Sequence, residues 1–363
     1  MTINEKISNI LTSYYGINDM PNSFGNGHIN DTFVAGDNII QRINTNIFED
    51  YDGLMNNIML VTDHLKRKAA EKGGDPDREV LTVVPTVDRK TYVKTEEGVF
   101  RVYKLIKDAT SYDEITPERF YEAGRGFGNF QTMLSDFPAD KLVETIHDFH
   151  NTRTRFDAFV RAVKSDKVGR TDSVLKEITF VLEREKYVDT VNTAIKDGKI
   201  PLRVTHNDTK LNNVLIDNES GRAVCVLDLD TVMPGSLLFD YGDALRYGAS
   251  TAAEDETDLS KVSFDLERFE TFTAGFKEGI CGRITGEEIR LLPFSVKLMT
   301  LECGMRFLTD YLSGDEYFKI SRKDHNLDRA RTQFRLVWDI EQKEDKMAEI
   351  VARVFGSNGG DGI

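Results

Sequence analysis

Apolar positions near the start of the chain recur at helical spacing. Ile3, Ile7, Ile10, Leu11 and Tyr14 predict a helix over 3–14, which the polar run from Asn22 to Asn30, with Gly25 and Gly27 inside it, then breaks. Alternating stretches follow, predicting strands over 32–35 and 39–43 around a turn at Gly36-Asp37-Asn38. The period returns to helical over 51–70, and two further strands are expected over 91–94 and 99–105. A small sheet with one helix results. Past residue 108 the patterns lengthen. Thr116-Pro117-Glu118-Arg119 reads as a helix start, Thr as N-cap and Pro at the first helical position. Helices are expected over 117–134, 151–164, 173–196, 238–247, 264–279, 286–313 and 327–353, and only 202–232 reads again as strand. The glycine-rich tail, 356–363, is expected to fray.

Composition adds limits. The 363 residues are 40% hydrophobic and 30% charged, ample for a large core. The formal net charge of −14 argues against nucleic acid or an anionic membrane surface as partner, since both need a basic footprint. Cys225, Cys281 and Cys303 are far apart and odd in number, so reduced thiols are expected rather than a disulfide framework. The N-terminus has no signal-peptide pattern, and no apolar run approaches the ~18 residues of a membrane span. A cytoplasmic monomer is the expectation.

The chemistry concentrates in His206-Asn207-Asp208-Thr209-Lys210-Leu211-Asn212-Asn213, followed fifteen residues later by Asp228. This is the spacing of a phosphoryl-transfer site: an Asp that accepts the proton of the attacking hydroxyl, an Asn for Mg²⁺, and a second Asp beyond a hairpin for the metal that bridges ATP phosphates. Asp208, Asn213 and Asp228 take those roles in order. Hard oxygen ligands suit Mg²⁺. Lys210 would counter charge developing on the transferred group. For His206, bracing the loop is favoured over proton transfer, while Asp240 is open between orienting the loop through its backbone amides and capping a helix. Pro234-Gly235 is expected to turn the chain. Gly25, Gly27 and Asn30 belong to a segment that can lay amides over phosphates. His147 and His150, at i and i+3, lack a third ligand and read as a solvated face; the basic stretch around His64, Lys66, Arg67, Lys68 and Lys72 reads likewise as exposed.

The chain resembles the aminoglycoside phosphotransferase and choline kinase superfamily in His206, Asp208, Asn213, Asp228 and Asp240. More narrowly it is similar to the bacterial N-acetylhexosamine 1-kinases, through Gly27 to Asn30, Arg101 to Lys104, Pro201 to Asn213, Leu229 to Ser236, Leu245 to Thr251 and Glu302 to Phe307. The resemblance implies an α+β, two-lobed protein-kinase-like fold, with an N-lobe over 1–106 and a mostly helical C-lobe over 107–363. It implies ATP with Mg²⁺ in the cleft and phosphorylation of N-acetylglucosamine or N-acetylgalactosamine at the anomeric hydroxyl. Asp208 would be the base; Asp230, Thr231, Arg306, Tyr317, His28 and Tyr247 would contact the sugar, and Gly25, Gly27, Asn30, Gln41, Arg101 and Tyr103 the nucleotide. Thr231 as a turn residue and Arg306 as a structural ion-pair partner stay open. One position departs from the superfamily: where a strand cation usually meets the phosphates, the chain has Gln41, with Arg42 expected to point away and Met59 where the cation's Glu partner would stand.

Two other readings remain. A kinase for choline, homoserine or an aminoglycoside would want acidic or aromatic groups around a cationic acceptor. A nucleotide-binding pseudokinase would take its support from Gln41.

Overall fold

A computed structural model of the chain describes residues 2–25 and 30–356. Helix α1 (Ile3–Ile10) starts in a capping box, Thr2 Oγ1 accepting from Glu5 N–H while Glu5 accepts from Thr2 N–H. It runs on as π-helix (Leu11–Tyr15) to Gly16, whose φ of +68° ends it. Then come β1 (Asn22–Ser23), β2 (Asp31–Ala35), β3 (Asn38–Ile43), α2 (Tyr51–Glu71), α3 (Pro76–Glu79), β4 (Val93–Thr95) and β5 (Gly98–Lys104). The strands form one antiparallel sheet in the order β1-β2-β3-β5-β4.

Strand alternation gives this sheet two apolar faces. Ile40, Phe100 and Val102 pack with Ile7, Ile10 and Leu11, whereas Ile43, Val99 and Tyr103 pack with Leu54, Met55, Ile58 and Val61 of α2. Each such fully buried side chain contributes about 1.5–3 kcal/mol of transfer free energy. Gln41 shares the α2 side with Ile39 and Ile43. Arg42 faces away and pairs with Asp31 on the surface, as expected from the alternation.

The second part opens with β6 (Ala109–Ser111), which pairs with a strand far along the chain. After it come α4 (Pro117–Met133), α5 (Thr152–Ser165), α6 (Leu175–Leu182), α7 (Thr190–Lys196), β7 (Arg203–Thr205), β8 (Val214–Asp217), β9 (Ala223–Val226), β10 (Met233–Gly235), α8 (Leu237–Gly248), α9 (Leu266–Ile280), α10 (Gly286–Ser313) and α11 (His325–Gly356). Strands β6, β8 and β9 make a three-stranded sheet; β7 and β10 pair separately. Helices α4 and α9 meet backbone to backbone. A Cβ on Gly124 would lie 2.3 Å from the Phe272 carbonyl oxygen, and one on Gly279 2.1 Å from that of Arg125. Gly128 and Gly275 are equally closed, at 2.5 Å from Phe276 O and 2.0 Å from Tyr121 O.

Three expectations fail here for identifiable reasons. The single helix expected over 173–196 is broken: Arg184 folds its guanidinium back onto the Phe180 carbonyl (2.8 Å) and pairs with Glu341 of α11, closing α6 at its C-terminus. Pro234-Gly235 does not turn the chain but lies in β10, opposite Val204 and Arg203, where the missing N–H of Pro234 is tolerated in a two-stranded ladder. His64 is buried rather than on the exposed basic face, its Nε2 meeting Met133 O at 3.1 Å and Asp136 at 3.0 Å. Among the described residues no helix is long and apolar enough to cross a membrane. The three cysteines are free.

Candidate active site

Strand β7 delivers the chain into a loop that is fastened at several points before Asp208. Asp240, near the start of α8, accepts the Asn207 N–H on Oδ1 (2.7 Å) and the His206 N–H on Oδ2 (3.0 Å), and Gln131 of α4 also donates to Oδ2 (2.9 Å). Its carbonyl takes the Thr209 hydroxyl at 2.6 Å. The cap of α8 is Ser236, which accepts from Leu238 N–H, so Asp240 braces the loop and does not cap the helix. Burial raises the Asp240 carboxyl above its ordinary range, against the lowering influence of His206 and the two amides. His206 is fully buried; Nε2 meets Leu227 O at 2.7 Å and Nδ1 accepts the Asp208 N–H at 3.2 Å. That assigns the Nε2–H tautomer and a bracing role.

These ties impose local strain. Asn207 has φ +65° and Asp228 φ +55°, left-handed values that non-glycine residues hold only under tertiary constraint. The Asn207 side chain donates to the Thr231 carbonyl (2.8 Å), and the Thr231 hydroxyl returns a 2.6 Å bond to the His206 carbonyl. The loop and the turn after β9 are therefore stitched together twice.

Asp208 projects from this frame, only partly covered. Lys210 Nζ stands 3.0 Å from its Oδ1, and Asn213 Nδ2 reaches its Oδ2 at 3.1 Å and its carbonyl at 2.8 Å. The Asn213 carbonyl accepts the Leu227 N–H at 2.8 Å, so the β8–β9 hairpin brings Asp228 alongside Asn213. Burial pulls the Lys210 amine down, but the Asp208 and Asp243 charges outweigh it and leave it raised. Asp228 is pushed up to about 7 by burial and by the charges of Asp230 and Asp208. Three carboxylates thus crowd one corner with Arg101 and Lys210 as the neighbouring cations.

The expected sugar and nucleotide contacts divide sharply. Asp230 and Thr231 were expected on the acceptor side. Instead Asp230 turns toward the five-stranded sheet, Oδ1 2.5 Å from Arg101 Nη2 and Oδ2 accepting from Asn30 Nδ2 at 2.7 Å; Thr231 is buried with its hydroxyl committed to His206. Arg101 and Tyr103, expected at the nucleotide, are 1% and 5% exposed, with the guanidinium 5.2 Å over the Tyr103 ring. Gln41 holds Arg101 through Oε1 (3.0 and 2.8 Å). Gly25 is exposed at φ +70°, while Gly27 and His28 lie outside the described residues. Arg306 of α10 sits over the rings of Phe149 (5.2 Å), Phe318 (5.6 Å) and Tyr317 (6.0 Å) and makes no hydrogen bond or ion pair among the described residues. Tyr317 and Tyr247 are exposed, Tyr247 near the end of α8.

Comparison with protein families matches residues 76–271, more than half of the chain, to the phosphotransferase enzyme family. The chain belongs to that family. Solved structures agree on the fold. A choline/ethanolamine kinase family protein from Mesorhizobium loti aligns with TM-score 0.57 at 16% identity, over 98% of this chain and 100% of that one. A spectinomycin phosphotransferase in complex with ADP and spectinomycin aligns with TM-score 0.55 at 14% identity (94% and 98%), and a microcompartment-associated aminopropanol kinase with 0.55 at 15% (95% and 98%). The α+β, two-lobed protein-kinase-like architecture is thereby shown. At these identities the neighbours establish the fold alone.

Within this phosphotransferase, several groups near the site escaped the sequence reading. His150 is not solvated: it is buried, with Nδ1 2.8 Å from Glu302 Oε1, and Thr152 donates to Glu302 Oε2 at 2.5 Å. Burial works to raise Glu302, yet His150 and Thr152 hold it below its ordinary range. Arg246 is a second buried cation, forked onto Asp243 Oδ1 (3.0 and 2.9 Å) and reaching Glu254 at 2.9 Å. Asp243 feels Arg246, His150 and Lys210 together and ends lowered despite burial. The helical periodicity of α8 and the pair Glu302 and Arg306, four apart on α10, were the only signals for this wall.

Proposed function

We propose that this chain is an ATP- and Mg²⁺-dependent kinase that phosphorylates an N-acetylhexosamine at its anomeric hydroxyl, with Asp208 as base. The observation that carries the reading is the partly exposed Asp208 carboxylate, flanked by Lys210 and Asn213 and adjoining the buried Asp228. Asp228 is raised by burial and by two like-charged neighbours, a concentration of negative charge that a divalent ion would relieve. Asp228 and the free Oδ1 of Asn213 would hold that ion. When bound, Mg²⁺ supplies neutralisation of phosphate charge. Mg²⁺ would keep phosphate and water oxygens in its remaining positions.

Asp208 orients the acceptor hydroxyl and takes its proton as the oxygen attacks the γ-phosphorus and the bond to the β,γ-bridging oxygen breaks to release ADP, while Lys210 lies where the transferred group gains charge. On the acceptor side, Arg306, which makes no ion pair or hydrogen bond among the described residues and has Glu302 as its charged neighbour one turn away, favours together with Lys210 a neutral polyol with carbonyl and hydroxyl acceptors. Like charges would oppose the cationic acceptors of a choline or aminoglycoside kinase. The aromatic trio Phe149, Tyr317 and Phe318 offers apolar faces to a sugar ring and an acetyl methyl.

The test is turnover on N-acetylglucosamine, N-acetylgalactosamine, choline, homoserine and an aminoglycoside, with ³¹P NMR of the product. Phosphate on C1 of an N-acetylhexosamine supports the proposal. Preference for a cationic acceptor overturns the acceptor assignment, and nucleotide binding without turnover on the whole panel would favour the pseudokinase.

A further inference from the structure

The neutral Gln41 has a cationic neighbour. Gln41 of β3 and Arg101 of β5 are directly opposite in the antiparallel register, so their side chains leave the same face of the sheet. Arg101 is held there from every side: Nε and Nη2 donate to Gln41 Oε1 at 3.0 and 2.8 Å, Nη1 lies 4.0 Å from Met55 Sδ, and the guanidinium covers Tyr103. Its counter-charge is Asp230, which belongs to the other lobe, two residues past Asp228. Asp230 is further pinned by Asn30, whose Oδ1 accepts Asn44 N–H at 2.9 Å, and its carbonyl accepts the Thr145 hydroxyl at 2.9 Å.

The segment between the two aspartates is one 3-10 turn, Leu229–Thr231, entered from the left-handed Asp228. A strained turn of this kind drifts unless something outside it holds the far end. Arg101 does so through one ion-pair contact, Nη2 to Asp230 Oδ1 at 2.5 Å, while its Nε–Nη2 fork on Gln41 Oε1 fixes the guanidinium in place; a lysine would offer one compact point charge that Gln41 cannot orient in this way.

We propose that Arg101 is a positioning residue for Asp228: an ion pair across the lobe junction, bracketed by Gln41, clamps the Asp228–Asp230 turn and thereby sets the affinity of the site for its divalent ion. In this arrangement Gln41 is not a vacancy left by a lost cation. It is the bracket for Arg101, a cation on the adjacent strand whose partner lies in the opposite lobe.

The inference rests on the reading of Asp228 as a metal ligand, and its test uses neither acceptor nor turnover. Mn²⁺ binding in the presence of ADP is followed by electron paramagnetic resonance, and metal-free ADP binding by calorimetry, for wild type, Arg101→Lys and Asp230→Asn. Asp230→Asn keeps shape and packing and serves should Arg101→Lys fail to fold. The expected result is at least a tenfold weaker Mn²⁺ affinity in either variant, with metal-free ADP affinity within twofold of wild type. Weakened metal-free ADP binding with unchanged Mn²⁺ affinity would make Arg101 a phosphate ligand and overturn the proposal. Unchanged Mn²⁺ affinity with a lower melting temperature would reduce it to a structural tie, which also overturns it. Wild-type protein that binds no Mn²⁺ with ADP would instead remove the metal reading itself.

Discussion

Asp240→Asn isolates the brace on the catalytic loop, because it changes one oxygen into an amide and leaves shape and backbone alone. The carboxylate now serves three donors: Asn207 N–H, His206 N–H and Gln131 Nε2. Asparagine can serve two at most, so its amide nitrogen must face the third. The less costly orientation keeps Oδ on the side with two donors and strands Asn207 N–H. A charged hydrogen bond contributes about 1.5–3 kcal/mol and a buried unsatisfied donor costs about 1–3 kcal/mol. Removing a buried charge, already disfavoured at Asp240, offsets part of this. A net loss of about 2–3 kcal/mol follows, and at an unfolding entropy near 2.1 cal/mol/K per residue it lowers Tm by about 3–4 °C. The larger effect falls on rate. Asn207 holds φ +65° partly through that bond, and its relaxation would move Asp208 by ~1 Å, a displacement that costs about 10²-fold in rate. The assay pairs kcat with differential scanning calorimetry, using Gln131→Met as a control that loosens Asp240 without freeing Asn207. If Asp240→Asn keeps kcat within about threefold of wild type while Tm falls as computed, the brace does not set the position of Asp208 and the reasoning is wrong.

Other outcomes follow from the same geometry. Asp208→Asn should retain ADP binding and lose about 10²–10⁴-fold in kcat, the span of general-base catalysis; wild-type turnover would remove Asp208 from that role. Because burial and the neighbouring Asp230 and Asp208 charges push Asp228 up to about 7, a proton should compete with the metal below neutrality. Mg²⁺ affinity should strengthen about tenfold per pH unit up to neutrality and then level, whereas a flat profile from pH 5.5 to 8.5 would contradict the raised carboxyl. The sign reverses for metal-free stability: the folded protein holds this proton more tightly than the unfolded chain, so stability falls as pH rises from about 4 through 7. Gly279→Ala forces a Cβ against Arg125 O and should cost about 1–3 kcal/mol, while Gly286→Ala, with open space around it, should be near neutral; equal melting temperatures for the two would refute the close crossing.

Much of this was legible because its information is local. The loop from His206 to Asn213, the hairpin that carries Asp228, and the helix start at Thr116 are written in contiguous residues. What escaped depends on partners far away. Asp230 looked free for a substrate since nothing near it in sequence reveals Asn30, 200 positions earlier, or Arg101. His150 read as a surface imidazole until Glu302, 152 residues on, supplied its partner. Arg184 likewise ends α6 by a contact with α11 that helical periodicity cannot register. Family resemblance put Arg101 at the nucleotide; the strand register revealed its link to Gln41, and only the tertiary contact its link to Asp230.

The crossing of α4 and α9 has a consequence for how the enzyme fails. Helices kept apart by side chains can slip by exchanging rotamers, but at Gly124, Gly128, Gly275 and Gly279 there are no rotamers to exchange. The two helices therefore move as one body, and α4 carries Gln131, whose amide helps hold Asp240 and through it the catalytic loop. Warming can loosen the outer helices without disturbing Asp208 so long as that body stays intact. Activity should then persist up to the melting transition and vanish with it, in a single step rather than by gradual decline.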